Sequence, residues 1–202
     1  QTVSVKASYE SWRHKNRPVK GKANNANSYK WAPQGDIITY KDSISFENNA
    51  ISFYHQNRKK TVFDVAVAQQ QLESVKDQMM NPLKYLTFGG KMIGENMISA
   101  DTYTGMYQDT DFKGFSLESK KPSKRHQLSI YLHSTQDQNI SVYKQGLEGF
   151  VNAYRPDEKR TKKWWNQYWN RSFIYTQNRN VKAQDSVYQI GQNYQLFRYM
   201  LG

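Results

Sequence analysis

The sequence predicts a mainly β protein with C-terminal helices, an α+β fold whose first part is an antiparallel sandwich. Short segments in which apolar and polar residues alternate recur about every ten residues up to residue 136, a spacing typical of such sandwiches. From Asp137 onward the apolar residues follow a helical period instead. Residues 161–176 hold three of the five tryptophans and predict the helix that joins the two parts.

Eight strands are expected in the first part, because apolar or β-branched residues stand at alternate positions. They lie at residues 2–12, 36–40, 43–46, 51–58, 83–94, 97–107, 112–119 and 126–134. The last is the clearest, since Leu128, Ile130 and Leu132 alternate with Gln127, Ser129 and Tyr131. The pair at positions 89 and 90, both glycine, predicts a bulge or tight turn within its strand.

Helices are expected where apolar residues recur every three or four positions. These segments are residues 62–79, 140–154, 161–170 and 182–201. The first ends at Asn81, because Pro82 bars that residue from helical backbone angles. Residues 13–34 are polar and predict a loop, and residues 171–177 predict a short extended segment. The last apolar stripe runs up to Gly202, so we expect a helical domain to follow.

Composition restricts the classes of function. Lysine and arginine number 29 against 17 acidic residues, a net charge of +12 that favours polyanion partners or simply a basic surface. The absence of cysteine excludes disulfides and thiolate metal sites. No apolar run reaches the roughly 18 residues of a membrane span, so no membrane partner is expected. The four histidines lack metal-ligand spacing and no nucleotide-binding loop is present, so we predict neither metal nor cofactor.

Two features could carry binding chemistry. His55 ends a strand within a polar cluster, where it could contact a sugar, although a hydrogen-bonded structural histidine is the commoner role. Trp164, Trp165 and Trp169 could form core packing, a platform for sugar rings, or a stack for nucleobases beside neighbouring lysines. Trp164 and Trp165 point about 100° apart on a helix, so both cannot serve one flat platform.

Four segments, in order, resemble a known family. They are Tyr9-Glu-Ser-Trp-Arg13, Ser52-Phe-Tyr-His-Gln-Asn57, Asn81-Pro-Leu-Lys-Tyr-Leu-Thr-Phe-Gly-Gly90 and Trp164-Trp-Asn-Gln-Tyr-Trp-Asn-Arg-Ser-Phe-Ile174. They are similar to motifs of secreted bacterial glycoside hydrolases that are distant relatives of the α-L-fucosidases of glycoside hydrolase family 95. The pattern departs at three positions: Gln56 replaces the usual arginine, and Asn81 and Leu86 also differ.

This resemblance implies three regions. Residues 1–136 would be part of a β-super-sandwich, 137–178 a helical linker, and 179–202 the start of an (α/α)6 barrel. The catalytic carboxylates of such enzymes belong to the barrel, so no catalytic residue is expected in this chain. The motifs imply substrate-binding positions at Tyr54, His55 and Asn57. They imply structural linker positions at Trp164, Trp165, Trp169 and Arg171.

We therefore expect the chain to be the non-catalytic sandwich and linker portion of a glycoside hydrolase, secreted or periplasmic. The intact protein would bind an oligo- or polysaccharide, and the barrel would be the sandwich's own partner. The first alternative is a basic binding module for nucleic acid or an acidic glycan, suggested by the net charge of +12, although nucleic acid is not the partner that the motifs favour. The second alternative is a structural domain with no activity of its own.

Overall fold

The computed structural model describes residues 1–18, 38–108, 110–174, 176 and 186–201. Contacts divide the chain into two compact units, Gln1–Ala153 and Tyr154–Gly202. The first unit consists of antiparallel sheets with helices, and the second consists of helices. The α+β class is therefore confirmed, with strands before helices as the change of period predicted.

The described strands belong to three antiparallel sheets. They are β1 (Lys6–Ser11), β2 (Arg17–Pro18), β3 (Ile38–Thr39), β4 (Ser43–Glu47), β5 (Ala50–Gln56), β6 (Leu86–Gly94), β7 (Met97–Tyr107), β8 (Thr110–Ser119) and β9 (Leu128–Gln136). One sheet has the order β4-β5-β6-β9 and a second has the order β1-β8-β7. The short strands β2 and β3 pair with each other. Seven of the nine strands thus build the two larger sheets.

A hydrophobic core joins the two larger sheets. Ile51 of β5, Met92 of β6 and Leu117 of β8 are buried within one cluster. The rings of Tyr9 and Phe53 stack across the sheets with their centroids 4.0 Å apart. Both sheets bury their alternate apolar residues against each other, so the arrangement is sandwich-like. Truncating a core side chain such as Leu117 to alanine would cost about 2–5 kcal/mol of stability.

Strand β6 runs without the bulge predicted at Gly89 and Gly90. Both glycines pair in register, with Tyr54 and Phe53 of β5 on one side and with β9 on the other. A Cβ added at either glycine would collide with the backbone of a neighbouring strand. The glycines therefore permit close strand approach rather than a bend. The irregularity of the sheets lies instead between Ser99 and Thr102 of β7.

The helix predicted over residues 62–79 is shorter than expected. Helix α1 spans Val62–Gln69 and starts with a capping box between Thr61 and Asp64. Gln71 then adopts φ 57°, which no α-helix accommodates, and Glu73–Gln78 continues as a separate 3-10 helix. Apolar spacing therefore persists across a break that only the backbone angles reveal.

Helix α2 (Ile140–Ala153) packs on the four-stranded sheet and confirms the helical stripe predicted there. Its buried Tyr143 lies 5.5 Å, between ring centroids, from both Tyr54 of β5 and His133 of β9. Lys91 of β6 binds Glu148 of the helix at 2.7 Å. These contacts place α2 across three strands, so it belongs to the first unit.

Strand β9 turns its apolar row away from α2. Leu128, Ile130 and Leu132 are 41%, 58% and 66% exposed, whereas Tyr131 on the opposite face contacts α2 through Phe150. The alternation predicted for this strand is correct. Its apolar side is nevertheless the uncovered one, and no residue of β9 belongs to the described core cluster.

The second unit contains α3 (Glu158–Arg171) and α4 (Ser186–Leu201). Asp157 caps α3 by accepting a hydrogen bond from the backbone N–H of Arg160 at 2.9 Å. The tryptophan helix and the final helix are thus confirmed, while residues 182–185 of the latter prediction lie outside the described residues. The described residues between α3 and α4, 172–174 and 176, belong to no helix or strand.

Several predictions fall partly or wholly on other segments outside the described residues. These are most of the loop at 13–34, positions 36 and 37 of a predicted strand, parts of the extended segment 171–177, and the domain boundary after 178. The three predicted regions stay predictions. Among the described helices, none has the length and hydropathy needed to cross a bilayer.

Candidate functional site

A cleft of about 390 Å³ opens in the first unit where β1, β5, β6 and β9 come together. Aromatic residues provide much of its lining: Tyr9, Phe53, Tyr54 and Phe88. Polar and charged residues provide most of the remainder: Arg13, Asp42, His55, His133 and Ser134. Aromatic surface together with a few convergent polar groups is the usual composition of a small-ligand site.

Asp42 is the centre of the polar cluster. Its Oδ2 accepts a hydrogen bond from the Ser11 hydroxyl at 2.9 Å. Its Oδ1 accepts from Arg13 Nε at 2.7 Å and from His55 Nδ1 at 2.9 Å. The Asp42 side chain is only 3% exposed, so these three donors and the adjacent positive charge replace the water that the carboxylate loses.

The bond from His55 Nδ1 to Asp42 fixes the orientation of the imidazole. In the neutral ring the proton then resides on Nδ1, which leaves Nε2 as an acceptor. No hydrogen-bond partner of Nε2 is present among the described residues, and His55 lines the cleft. The arrangement can therefore accept a hydrogen bond from a ligand hydroxyl at Nε2.

Arg13 is held in place by aromatic rings as well as by the carboxylate. Its guanidinium carbon lies 5.1 Å from the centroid of the Trp12 ring and 5.3 Å from that of Phe88. Its side chain remains 24% exposed. The cluster forms here because β1 ends at Ser11, where the chain turns and brings Arg13 beside β5 and β6.

Tyr9 remains protonated in this environment. Burial raises the pKa of its phenol to about 12, with a further increase from the Asp42 charge and an opposing contribution from Arg13. A tyrosine with such a pKa is a neutral hydrogen-bonding group at physiological pH rather than a base. Its ring stacked on Phe53 therefore contributes mainly apolar surface to the cleft.

The predicted binding positions separate in the structure. His55 and Tyr54 both line the cleft, but the Tyr54 ring also contacts Tyr143 of α2. Asn57 does not line the cleft, and its side chain donates to the carbonyl of Leu83 at 2.9 Å. The structure therefore unites His55 with Arg13 and Asp42, while Asn57 anchors the turn that leads into β6.

Sequence reasoning missed the other members of the cluster. Arg13 closed one of the four family-like motifs, which could have marked it. Asp42 had no signal, because a single acidic residue between two predicted strands has no partner at a recognisable spacing in the sequence. A second missed cluster joins Lys91 to Glu47 at 2.8 Å and to Glu148 at 2.7 Å. Both carboxylates bind the ammonium group of Lys91, so this cluster holds α2 on the sheet and does not flank a substrate.

Helix α3, which carries the tryptophans, packs on α4 within the second unit. Trp165 stacks on Tyr199 of α4 at 5.5 Å between ring centroids, whereas Trp164 is exposed. Among the described residues of this unit the buried one is Arg198, whose guanidinium carbon lies 4.8 Å from the Trp169 ring centroid. Arg198 also donates to the backbone carbonyls of Tyr168 and Ser172, whereas the predicted linker residue Arg171 is exposed.

No cluster of three or more metal-ligating side chains exists within the described ranges. A family model described as "Domain of unknown function (DUF5703)", an N-terminal domain, matches residues 1–174. The chain belongs to this family. No curated protein and no solved structure matches the chain. Because the DUF5703 description carries no activity, the resemblance to glycoside hydrolases stays a prediction, as does the basic-module alternative.

Proposed function

We propose that this DUF5703 chain is the non-catalytic sandwich and linker portion of a secreted glycoside hydrolase, and that its cleft contacts carbohydrate. The observation that supports carbohydrate binding most directly is the aromatic cleft beside Arg13, Asp42 and His55. The β-super-sandwich, the linker role of α3 and the (α/α)6 barrel are parts of the same proposal. They rest on the four family-like segments of the sequence.

The cleft has the chemistry that a pyranose ring requires. One face of such a ring is apolar and packs on aromatic surface, which Phe88 and the Tyr9 stack provide. Hydroxyl groups at the rim of the ring need donors and acceptors, which Arg13 and His55 provide. The volume of about 390 Å³ falls within the roughly 300–1,000 Å³ of small-molecule sites.

The part of the cleft lining that the structure describes lacks the groups for hydrolysis of a glycosidic bond. That reaction ordinarily needs two carboxyl groups flanking the bond, one as acid and one as base or nucleophile. Among the described lining residues Asp42 is the single carboxylate, and both of its oxygens already accept hydrogen bonds. In the proposed protein the cleft would therefore hold or guide the glycan, and barrel carboxylates would cleave it.

Nuclear magnetic resonance titration of the chain with methyl glycosides of fucose, galactose, glucose and glucuronic acid tests the binding proposal. We expect chemical-shift changes centred on the backbone amides of β5, β6 and β9 around the cleft. Phe88→Leu keeps apolar volume but removes the ring, so it should weaken binding. Phe112→Leu is the matched control, because that ring packs on Tyr103 and does not line the cleft.

A hydrolysis assay tests the division of labour. The 202-residue chain should leave aryl glycosides intact, whereas a longer gene product carrying a helical barrel should hydrolyse at least one. The absence of shift changes with every glycoside would contradict carbohydrate binding. Hydrolysis by the chain alone, at a rate that Phe88→Leu lowers, would contradict the non-catalytic role.

A further inference from the structure

Of the carboxylate and the guanidinium that line the cleft, only the guanidinium keeps hydrogen-bonding groups free for a ligand. Asp42, the one carboxylate among the described lining residues, is 3% exposed and accepts from three donors. The Nη1 and Nη2 groups of Arg13 have no hydrogen-bond partner among the described residues, and the side chain is 24% exposed. The principal charged group that a ligand can reach is therefore a donor.

Arg13 is oriented before a ligand arrives. The bond from Nε to Asp42 fixes one edge of the guanidinium. The rings of Trp12 and Phe88 lie within 5.3 Å of its central carbon and restrict the plane. A fixed guanidinium with free terminal amino groups matches the two oxygens of a carboxylate, and little side-chain entropy remains to be lost on binding.

A neutral sugar suits these groups less well. Each hydroxyl has a proton that needs an acceptor, and the described lining residues include no asparagine, glutamine or glutamate. Beside the buried Asp42, the side-chain acceptors of the described lining are the uncharged hydroxyl and imidazole groups of Tyr9, Tyr54, His55, His133 and Ser134. A carboxylate brings no proton to satisfy at neutral pH and accepts from both amino groups of Arg13.

We propose that the cleft selects an acidic sugar, a uronic acid residue whose carboxylate binds the Nη groups of Arg13 while its ring lies on the aromatic lining. The proposal rests on the carbohydrate-binding function proposed above and names the ligand class for the same site. The pair formed by Arg13 and Asp42 is locally neutral, and the whole chain carries a net charge of +12, so the surroundings do not repel an anionic ligand.

Isothermal titration calorimetry of the whole chain tests the ligand class with matched probes. Methyl β-glucuronide carries the carboxylate, and its 6-methyl ester has nearly the same shape without the charge. We expect the glucuronide to bind at least about tenfold more tightly than the ester, the factor that one charge-assisted hydrogen bond contributes. Raising the salt concentration should weaken only the glucuronide.

Arg13→Lys tests the residue. Lysine keeps the charge next to Asp42 but lacks the planar fork, so the preference for glucuronide over ester should fall to within about threefold, as expected when a bidentate contact is lost. Arg58→Lys is the control, since Arg58 lies 4.6 Å from the Tyr40 ring centroid and does not line the cleft. Melting curves of each variant establish folding, and the wild-type comparison of glucuronide with ester needs no variant.

Equal affinity for glucuronide and ester would overturn the choice of an acidic sugar while leaving carbohydrate binding intact. Binding of neither probe nor any neutral glycoside would overturn both proposals. Equal affinity for acetate and glucuronide would also overturn the inference, because the ring would then contribute nothing.

Discussion

Asp42→Asn is the sharpest test of the polar cluster, because it removes one charge and keeps the shape. Asparagine offers one acceptor oxygen where Asp42 uses two, so its NH2 group either reverses the Ser11 hydrogen bond or faces the Arg13 and His55 donors, which it cannot satisfy. The Arg13 guanidinium would also lose its buried counter-ion. Breaking one partner of a buried ion pair typically costs 3–5 kcal/mol.

We take about 3 kcal/mol for this substitution, the lower limit, because the Arg13 side chain is 24% exposed and water can reach it. For a domain of this size, about 3 kcal/mol corresponds to a decrease in melting temperature of roughly 6–12 °C. Urea unfolding followed by far-ultraviolet circular dichroism measures the free energy, and calorimetry measures the melting temperature.

The control is Asp101→Asn, because Asp101 is an exposed carboxylate on β7 of the same unit. Its unfolding free energy should change by less than about 0.5 kcal/mol. A double-mutant cycle that combines Asp42→Asn with Arg13→Gln should show a coupling of at least about 1 kcal/mol. An Asp42→Asn protein as stable as the control, or additive effects in the cycle, would refute the description of Asp42 as the charge that holds the cluster together.

Three further predictions concern other regions. Arg198→Ala should reduce helicity and cost about 2–3 kcal/mol of stability in the second unit, because two carbonyls lose a charged donor. Arg171 is exposed, so Arg171→Ala should change helicity little, and circular dichroism measures both variants. Gly89→Ala should destabilise the sheet by about 1–3 kcal/mol, because the added Cβ collides with neighbouring backbone. Gly149 has open space around it, so Gly149→Ala should stabilise α2 by about 0.5–1 kcal/mol. Urea unfolding measures both changes. Hydrogen bonds from lysine and arginine lower the pKa of Asp111 to about 2. This carboxyl therefore stabilises the fold above pH 3.8, and its contribution is lost as the pH falls towards 2. Titration of the carboxyl group by nuclear magnetic resonance checks this.

The sequence predicted the elements whose period is uniform. The strand predicted at 43–46 and the helical stripe through Tyr143 and Leu147 were confirmed, because alternate or every-fourth-residue burial leaves a direct pattern in the residues. The prediction of one long helix at 62–79 was wrong, because the positive φ of Gln71 that breaks it leaves no signal in the hydrophobic pattern. Periodicity likewise identified the apolar side of β9 but could not show that this side stays exposed.

The cleft was only partly predictable. His55 stood out because it ends a strand beside other polar residues, and the structure places it in the cleft. Arg13 and Asp42 are 29 residues apart, and only the fold brings the two side chains together. Long-range pairing of charges depends on which strands become neighbours, so composition and spacing could not reveal it.

The position of β9 has a consequence for handling the protein. It is the outer strand of its sheet, and its nine residues include no charged residue and no proline. Natural sheets use charged residues and proline on their outer strands to prevent self-association. Two features therefore oppose each other in self-association: a net charge of +12 repels other copies, whereas the outer edge of β9, which no described strand pairs with, can bind another strand. Concentrated salt screens the first feature and leaves the second, so association should increase with ionic strength rather than decrease.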